Sequence, residues 1–400
     1  MISYKGFEMQ YRLDKYGNEL SVLGYGCMRF TNTAGHIDMQ KAETEIMRAY
    51  ELGVNYYDTA YIYTGSEVAV GEIFERNNIR DKINIATKLP HYMVKNPADM
   101  DRLFEEQLKR LRTDHVDYYL MHMLTDIASW NRIRDMGIID WIEKRKASGQ
   151  IRQIGFSYHG NSDMFMKILD DYDWEFAQIQ YNYIDEHSQA GRTGLERAEE
   201  KKIPIIIMEP LRGGKLVNGL PKEAGELIKN HPSGRSAAEW ALGWLYDQSG
   251  VKVVLSGMNS VEMIEENCRI ASEYTPGSFT VEDHEAISEI VKLYHAHMRV
   301  GCTGCRYCMP CPHNVDIPGT FAAYNRQAVD GKLGGLKEYF MCTAMRKDYT
   351  GPANCIECGL CEKHCPQGIK IREELKNARK SLETPIYKIG RKFVPFFAKF

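Results

Sequence analysis

The sequence has 400 residues with an ordinary globular composition, 44% hydrophobic and 26% charged. Its formal charge of −3 gives no sign of the basic surface that nucleic-acid binding requires. The first residues lack the apolar run of a signal peptide, and no apolar stretch is long enough to cross a bilayer. We therefore expect no transmembrane segment and no nucleic-acid partner.

The first three quarters of the chain alternate between strand-like and helix-like segments. Residues 9–20 predict a hairpin around a turn at residues 14–18. Eight strand-like runs follow, at residues 21–26, 55–58, 82–87, 116–121, 152–156, 176–181, 203–208 and 251–255. Helical periodicity occupies residues 38–52, 66–77, 97–111, 132–148, 161–170, 194–202, 237–248 and 262–272. Eight strand–helix units in about 250 residues predict an α/β fold, a (β/α)8 TIM barrel. The alternative, an open doubly wound sheet, is disfavoured because no Gly-x-Gly-x-x-Gly follows the first strand.

Eight of the eleven cysteines fall in two runs near the end of the chain. The first run is Cys302, Cys305, Cys308 and Cys311, the second is Cys355, Cys358, Cys361 and Cys365, and a proline follows each run. This is close to the ligand spacing of a bacterial-type ferredoxin with two 4Fe–4S clusters. On that pattern, Cys302, Cys305, Cys308 and Cys365 bind one cluster, and Cys355, Cys358, Cys361 and Cys311 bind the other. Structural zinc is the alternative, but it uses separated pairs of ligands and gives no reason for a third cysteine at the same spacing.

The chain is predicted to have three parts. Residues 1–298 form the barrel, ending in a helix at residues 281–297, and residues 299–375 form a small, mainly helical, ferredoxin-like iron–sulfur domain. Helical patterning at residues 318–324 and 333–346 lies between the two cysteine runs, together with Cys342, which is either a substitute ligand or a packing residue. The tail, residues 376–400, mixes basic residues with phenylalanine. It either contacts a membrane surface, or frays or lies back on the barrel.

Polar side chains stand at the ends of three successive predicted strands. Asp58 and Tyr63 follow strand two, Lys88 ends strand three and His122 ends strand four. Because the C-terminal strand ends of a TIM barrel form one mouth, these four side chains are expected to converge. The Lys88 ammonium, fixed by Asp58, would lower the pKa of Tyr63 and make it a usable general acid. His122 would orient a carbonyl oxygen by hydrogen bonding.

These residues and their surroundings carry a resemblance to a known family. Asp58-Thr59-Ala60, Gly65-Ser66-Glu67 and the run from Asp117 to His122 resemble the aldo-keto reductase family, over about residues 9–275. The whole chain is similar to a prokaryotic branch of that family with a C-terminal two-cluster 4Fe–4S domain. The resemblance implies an NAD(P)-dependent oxidoreductase acting on a small carbonyl or alcohol substrate, with Asp58, Tyr63, Lys88 and His122 as its catalytic set.

The resemblance also implies a nucleotide site along the same mouth. Its implied contacts are Gly26, Cys27, Met28, Asp58, Ser157, Gln178, Met208, Pro210, Leu211, Gly213, Gly214, Lys215, Ser256, Gly257, Met258, Glu266 and Asn267. Ser157 and Gln178 would hold the nicotinamide carboxamide, and residues 210–215 would cover the pyrophosphate. The places where NADP-selective members carry basic residues hold Met258 and Met263, so both NAD and NADP stay open. Arg269 or Lys215 could still meet a 2′-phosphate.

Two classes of function follow from these features. The first is an NAD(P)H-dependent carbonyl reductase that carries two clusters. The second is an iron–sulfur electron-transfer or redox-sensing protein, with a redox partner protein, whose barrel only binds nucleotide or a partner. Clusters move single electrons whereas hydride carries two, and no flavin-binding motif connects them, so purely structural clusters also remain open. Cluster cysteines must stay reduced until iron arrives, which predicts a cytoplasmic location.

Overall fold

The computed structural model describes residues 8–302, 304, 306, 308–365 and 367–397, with side chains as far as residue 393. The predicted ligand Cys305 and the last residues of the tail lie outside this part. The described strands are β1 (Tyr11–Leu13), β2 (Glu19–Ser21), β3 (Leu23–Gly26), β4 (Asn32–Thr33), β5 (His36–Ile37), β6 (Tyr56–Asp58), β7 (Asn84–Leu89), β8 (Val116–Leu124), β9 (Ile151–Tyr158), β10 (Phe176–Gln180), β11 (Ile205–Met208) and β12 (Val251–Ser256).

Eight parallel strands close into a barrel in the order β3, β6, β7, β8, β9, β10, β11, β12. Pairing of β12 with β3, through Val254 and Leu23, completes the ring. Each strand-like run predicted from the sequence overlaps one barrel strand, so the TIM-barrel prediction is confirmed. The predicted hairpin is also present, as β1 paired antiparallel with β2.

The helices surround this barrel and continue beyond it. They are α1 (Met39–Glu51), α2 (Ser66–Arg76), α3 (Ala98–Leu111), α4 (Ile127–Asp135), α5 (Ile138–Ala147), α6 (Ser162–Asp171), α7 (Gly191–Glu200), α8 (Lys215–Asn218), α9 (Lys222–Asn230), α10 (Ala237–Tyr246), α11 (Val261–Glu273), α12 (Val281–Ala296), α13 (Ile317–Tyr339), α14 (Leu360–Lys363), α15 (Ile371–Leu382) and α16 (Pro385–Phe397). The single helix predicted at residues 132–148 is wrong, because Gly137 takes a left-handed conformation (φ 85°) and separates α4 from α5.

The barrel interior is filled by side chains from alternate strand positions. Tyr56, Tyr118 and Phe176 belong to this inner cluster, and Leu20 of the hairpin is buried against them. The turn of the hairpin bonds to the same strands, because Tyr118 Oη donates to Asp14 Oδ2 at 2.6 Å. The hairpin therefore closes the N-terminal end of the barrel, which leaves the C-terminal strand ends for a site.

The region after α12 is mainly helical. The helical patterns predicted at residues 318–324 and 333–346 both fall in α13, and the second continues into the turn at Phe340–Ala344. Helix α13 is interrupted between them at Gly331 (φ 76°). Helix α15 packs on α13, and α16 packs on the turn at Phe340–Ala344. Over its described residues the end of the predicted tail forms α16, which packs on the C-terminal region. No helix in the described part of the chain has the length and apolar character to cross a membrane.

Candidate active site and cysteine clusters

Four polar side chains meet where the barrel strands end. Asp58 ends β6, Lys88 stands one residue before the end of β7, and His122 lies near the end of β8. Tyr63 follows β6 in a loop closed by its N–H bond to the Ala60 carbonyl at 3.0 Å. Lys88 Nζ lies 5.1 Å from the centroid of the Tyr63 ring, and the Tyr63 and His122 rings lie edge-on at 6.1 Å. The structure therefore brings together the four side chains that the sequence singled out.

A buried ion pair holds the lysine in place. Lys88 Nζ donates to Asp58 Oδ1 at 2.6 Å and to the Thr59 carbonyl at 2.7 Å. Gln178 Nε2 donates to the other carboxylate oxygen of Asp58 at 2.8 Å. Burial alone would lower the pKa of Lys88, but the Asp58 carboxylate and Tyr63 outweigh it and the pKa is raised. Lys88 is thus a fixed cation beside the phenol at neutral pH.

Tyr63 and His122 both remain neutral near pH 7. Burial raises the pKa of Tyr63, and the opposing effect of Lys88 does not reverse this. The sequence predicted that Lys88 would lower the pKa of Tyr63, and this net lowering is not found. Burial destabilises the phenolate more than the nearby ammonium stabilises it. Burial lowers the pKa of His122 well below its ordinary value, and Lys88 adds to this. His122 Nδ1 is buried without a hydrogen-bond partner among the described residues.

The residues of the implied nucleotide site stand at the ends of β3, β9, β11 and β12. A Cβ on Gly26 would lie 3.4 Å from the carbonyl oxygen of Ser256, so two strand ends approach closely there. Ser256 Oγ accepts from Asn267 Nδ2 at 3.0 Å. Ser157 Oγ accepts the N–H of Met123 at 2.9 Å, which leaves its hydroxyl proton to be donated.

The other implied contacts divide into two groups. Those that end or follow a barrel strand on the same rim are Cys27, Met28, Met208, Pro210, Leu211, Gly213, Gly214, Lys215 and Gly257. Two point elsewhere. Met258 is buried in the main core, and its carbonyl accepts from Tyr25 Oη at 2.7 Å. Glu266 lies on α11 with Oε1 3.3 Å from Ser236 Oγ.

Arg29, which the sequence analysis did not single out, lies between two parts of this site. It ends the turn that follows β3 and is exposed. A Cβ on Gly257 would lie 2.9 Å from its Cδ, and a Cβ on Gly213 would lie 3.2 Å from its Nη2. The side chain therefore extends from the end of β12 to the loop after β11. The sequence feature that could have identified Arg29 is its position three residues after the end of the first barrel strand.

The two cations considered for a 2′-phosphate already face carboxylates. Arg269 pairs with Glu239 at 3.0 Å and with Glu273 at 2.8 Å. Lys215 lies 3.3 Å from Asp330 of α13. Both are therefore less available for a nucleotide than Arg29.

The loop after β11 is bonded to the C-terminal region. Arg212, buried with φ 50°, lies 3.1 Å from Asp185 and 3.4 Å from Asp330. Lys215 Nζ also donates to the Asp330 carbonyl at 3.1 Å. Arg326 of α13 approaches Asp185 at 3.3 Å. One residue of α13, Asp330, thus binds two cations of the loop that the family resemblance assigns to the pyrophosphate.

Helix α13 also reaches the barrel mouth. Lys337 pairs at 3.0 Å with Glu209, the residue directly after β11. Burial favours the neutral acid of Glu209, but Lys337 and His159 outweigh it and the pKa is lowered. Burial lowers the pKa of His159, directly after β9, to about 4, although Glu209 opposes this. The Glu209 charge acts on Tyr63 as well, so α13 contributes to the electrostatics of the mouth.

The described cysteines of the two runs gather in two places. A cavity of about 370 Å³ is lined by Cys311, Cys355, Cys358 and Cys361, and also by Cys308. A smaller cavity is lined by Cys302, Cys308 and Cys365. The last cysteine of each run thus lies with the earlier cysteines of the other run. The N–H of Glu357 donates to Cys355 Sγ at 3.4 Å, a contact typical of sulfur ligands in iron–sulfur sites.

The donor set fits clusters better than single metal ions. Among the described residues, no three Cys, His, Asp or Glu side chains converge on one point as a single ion requires. Cluster thiolates bind different irons and stand further apart. Cys342 lines neither cysteine cavity; it is buried, and its Sγ donates to the Tyr339 carbonyl at 3.6 Å, which indicates packing.

Comparison with known proteins agrees with this fold. Residues 22–292 match the aldo/keto reductase family, and residues 301–369 match a 4Fe–4S dicluster domain. The chain therefore belongs to the aldo/keto reductase family, is an oxidoreductase, and carries an iron–sulfur domain after its barrel.

Individual relatives share the barrel. Methylglyoxal reductase YeaE of Escherichia coli K12 is 28% identical over 260 residues, covering 62% of this chain and 84% of that protein. L-Galactose dehydrogenase of Arabidopsis thaliana is 25% identical over 303 residues, covering 70% and 94%. Aldo-keto reductase AKR11C1 of Bacillus halodurans in its holo form has a TM-score of 0.60 and 25% identity, covering 71% and 96%. An aldo-keto reductase of Klebsiella pneumoniae in complex with NADPH has a TM-score of 0.56 at 20% identity, covering 72% and 96%, and shows the fold alone.

Proposed function

We propose that the chain is a carbonyl reductase that uses NADPH and carries two 4Fe–4S clusters. The observation that carries the proposal is the buried Lys88–Asp58 pair held beside Tyr63 and His122 at the barrel mouth. A phenol, an ammonium and a neutral imidazole around one point are what protonation of a carbonyl oxygen needs.

The chain's own residues account for the proton. Bound nicotinamide nucleotide supplies the hydride to the carbonyl carbon. Tyr63 Oη donates its proton to the carbonyl oxygen, and the Lys88 ammonium stabilises the phenolate that remains. Asp58 and Gln178 keep the ammonium in place. His122, neutral because of its burial, donates a hydrogen bond that orients the substrate oxygen.

NADPH is favoured over NADH by Arg29. Its guanidinium lies near Gly213, in the loop assigned to the pyrophosphate, and its stem lies near Gly257, toward the adenosine end. An arginine there offers the charge-assisted hydrogen bonds that a 2′-phosphate requires. We expect a lower KM for NADPH than for NADH.

The cluster count and ligands are part of the proposal. Cys302, Cys305, Cys308 and Cys365 bind one cluster, and Cys311, Cys355, Cys358 and Cys361 bind the other. The two cavities support this exchange of the last cysteine between runs. We assign residues 1–298 to the reductase barrel, 299–375 to the cluster domain and 376–400 to a tail whose described residues pack on that domain.

A second candidate is a redox relay in which clusters and barrel exchange electrons with a partner protein. One contact favours it: a Cβ on Gly304, in the first cysteine run, would lie 2.7 Å from the His187 carbonyl of the barrel. This run and His159 also line one cavity between the two parts.

One anaerobic experiment tests both candidates. Iron-replete protein is mixed with NADPH or NADH, with and without a panel of aldehydes and ketones, and nucleotide and cluster absorbance are followed together with EPR. Consumption of NADPH only with a carbonyl, and unchanged clusters, supports the reductase. Bleaching of the clusters by nucleotide alone supports the relay, and no reaction with any carbonyl contradicts the reductase.

A further inference from the structure

Helix α16 is fixed to the C-terminal region by one face. Tyr387 is buried, with its ring 4.7 Å from that of Tyr339 and 4.8 Å from that of Phe340. Gly390, one turn later, packs so closely that a Cβ would lie 2.6 Å from Phe340 Cζ. The Tyr387 hydroxyl is also hydrogen-bonded to Thr343 Oγ1 at 2.7 Å, so the orientation of α16 on the molecule is set by these contacts.

A second face of α16 presents large apolar side chains to solvent. Ile386 is 68% exposed and Ile389 is 59% exposed, and Phe393, one turn further, is 53% exposed. Positions separated by three, four or seven residues share one side of a helix, so the three form a single apolar stripe. The sequence continues with Phe396, Phe397 and Phe400. Isolated exposed apolar residues are common, but an aligned stripe marks an interaction surface.

The charges around this stripe have one sign. Lys388, Arg391 and Lys392 are exposed on α16, Lys399 follows in sequence, and residues 384–400 contain no aspartate or glutamate. Arg391 extends over the Tyr349 ring, 3.6 Å from its centroid, which ties part of this basic face to the domain beneath. The whole chain has a net charge of −3, so this basic segment is a local feature.

We propose that α16 docks the protein on the surface of an anionic phospholipid bilayer. An apolar stripe enters the boundary between headgroups and acyl chains, while adjacent lysines and arginines meet lipid phosphates. Thirteen helical residues cannot span the hydrocarbon core, so the helix lies in the interface plane. A second copy is disfavoured as the occupant, because two α16 helices would bring their cations together.

Vesicle flotation tests this docking without relying on the reductase proposal. The full cluster-loaded protein is floated with vesicles of pure phosphatidylcholine, and with vesicles of equal parts phosphatidylcholine and phosphatidylglycerol, over a salt series. We expect binding only to the anionic vesicles, weakening as salt rises. Lys388→Gln with Lys392→Gln should weaken binding at least about tenfold, given about fivefold for each basic side chain near the surface. Ile386→Gln with Ile389→Gln should reduce it by a similar factor or more.

Leu333→Gln is the matched control, because Leu333 is 80% exposed on α13 in the same region. It should leave flotation unchanged, and iron content with circular dichroism should confirm that all variants fold. The proposal is overturned if the wild-type protein does not float, or if the two double variants float as well as Leu333→Gln. It is also overturned if the Ile386 and Ile389 changes alter the molecular mass in lipid-free solution without affecting flotation, since the stripe would then join two copies.

Discussion

Lys88 shows how one buried side chain organises the catalytic residues. Its pKa is raised in a water-poor site because the Asp58 carboxylate and Tyr63 outweigh the effect of burial, and Asp58 and the Thr59 carbonyl accept hydrogen bonds from its ammonium. Asp58 is held in turn by Gln178. The phenol of Tyr63 is thus paired with a cation that cannot turn away, which stabilises the phenolate formed on proton transfer.

Tyr63→Phe removes the proton donor and leaves this ion pair intact. We expect carbonyl reduction to fall by about 10²–10⁴-fold, the range for loss of a positioned general acid. The dissociation constant for NADPH, measured by quenching of protein fluorescence, should change little. Tyr11→Phe, the same change at a 42% exposed tyrosine of β1, serves as the control. Wild-type turnover in Tyr63→Phe would contradict the proton-donor role.

Cys358→Ser tests the cluster ligands. Loss of one thiolate should remove one cluster, so iron should fall from about eight to about four atoms per chain. Cys342→Ala is the comparison, because Cys342 is buried and bonded to the Tyr339 carbonyl. Iron and acid-labile sulfide are measured after anaerobic reconstitution. If Cys342→Ala lost iron and Cys358→Ser did not, the ligand assignment would be wrong.

At the scale of elements, two helices of the barrel meet through a glycine. Gly71 of α2 packs on the end of α3, where a Cβ would lie 2.4 Å from the Arg110 carbonyl. Backbone is the obstacle, so the contact cannot be relieved by a side-chain movement. Gly225 of α9 has no such neighbour within 4 Å.

The two glycines therefore predict opposite effects of the same substitution. Gly71→Ala should lower the free energy of unfolding by about 1–3 kcal/mol, because overpacking moves α2 away from α3. Gly225→Ala should raise it by about 0.5–1 kcal/mol, because alanine is the better helix former. Urea unfolding followed by tryptophan fluorescence measures both. Equal effects of the two changes would show that α2 and α3 are not packed this closely.

The contact between α13 and the loop after β11 predicts a coupling between the two parts of the chain. Asp330→Asn removes the carboxylate that faces Arg212 and Lys215. The loop should then hold nucleotide less tightly, so we expect the KM for NADPH to rise about 5–30-fold, as for a charged contact worth about 1–2 kcal/mol, with kcat less affected. Glu373→Gln, exposed on α15, is the control. A change in kcat alone would argue against a role through the loop.

At the scale of the whole molecule, buried neutral histidines govern stability in acid. Burial lowers the pKa of His91 to about 3 and of His159 to about 4, and that of His122 well below its ordinary value of about 6.5. Below pH ~6.5 the unfolded chain binds protons that the folded chain does not bind. Stability is therefore present above that pH and is lost as pH falls toward 4.

Each such histidine should add up to about 1.4 kcal/mol per pH unit to the loss of stability. Anaerobic urea unfolding at about pH 7.5 and about pH 5.5 measures it, and the five tryptophans, all within the barrel, report barrel unfolding. His91→Asn should make the free energy of unfolding less dependent on pH, by the contribution of one histidine. This holds whatever the effect of the substitution on stability at pH 7.5. An unchanged slope in that variant would contradict the neutral state of His91.

The barrel and the candidate catalytic residues could be predicted from the sequence because both depend on local sequence patterns. Strands and helices alternate with distinct periods, and the strand ends of a closed barrel meet at one mouth whatever its loops do. Asp58, Lys88 and His122 were found by their places at strand ends. The break between α4 and α5 was missed, because a single glycine inside helical periodicity carries a weak signal.

Tertiary structure alone decided how distant segments act on each other. The pKa of Tyr63 is raised because burial outweighs the effect of Lys88, and burial is a property of the folded mouth. Arg29 reaches the nucleotide rim, and Asp330 holds the loop after β11, across more than a hundred residues. The sequence by itself therefore determined the fold, the family and the candidate proton donor. Electrostatics and contacts between the two parts depend on distances in space, which neither spacing nor composition encodes.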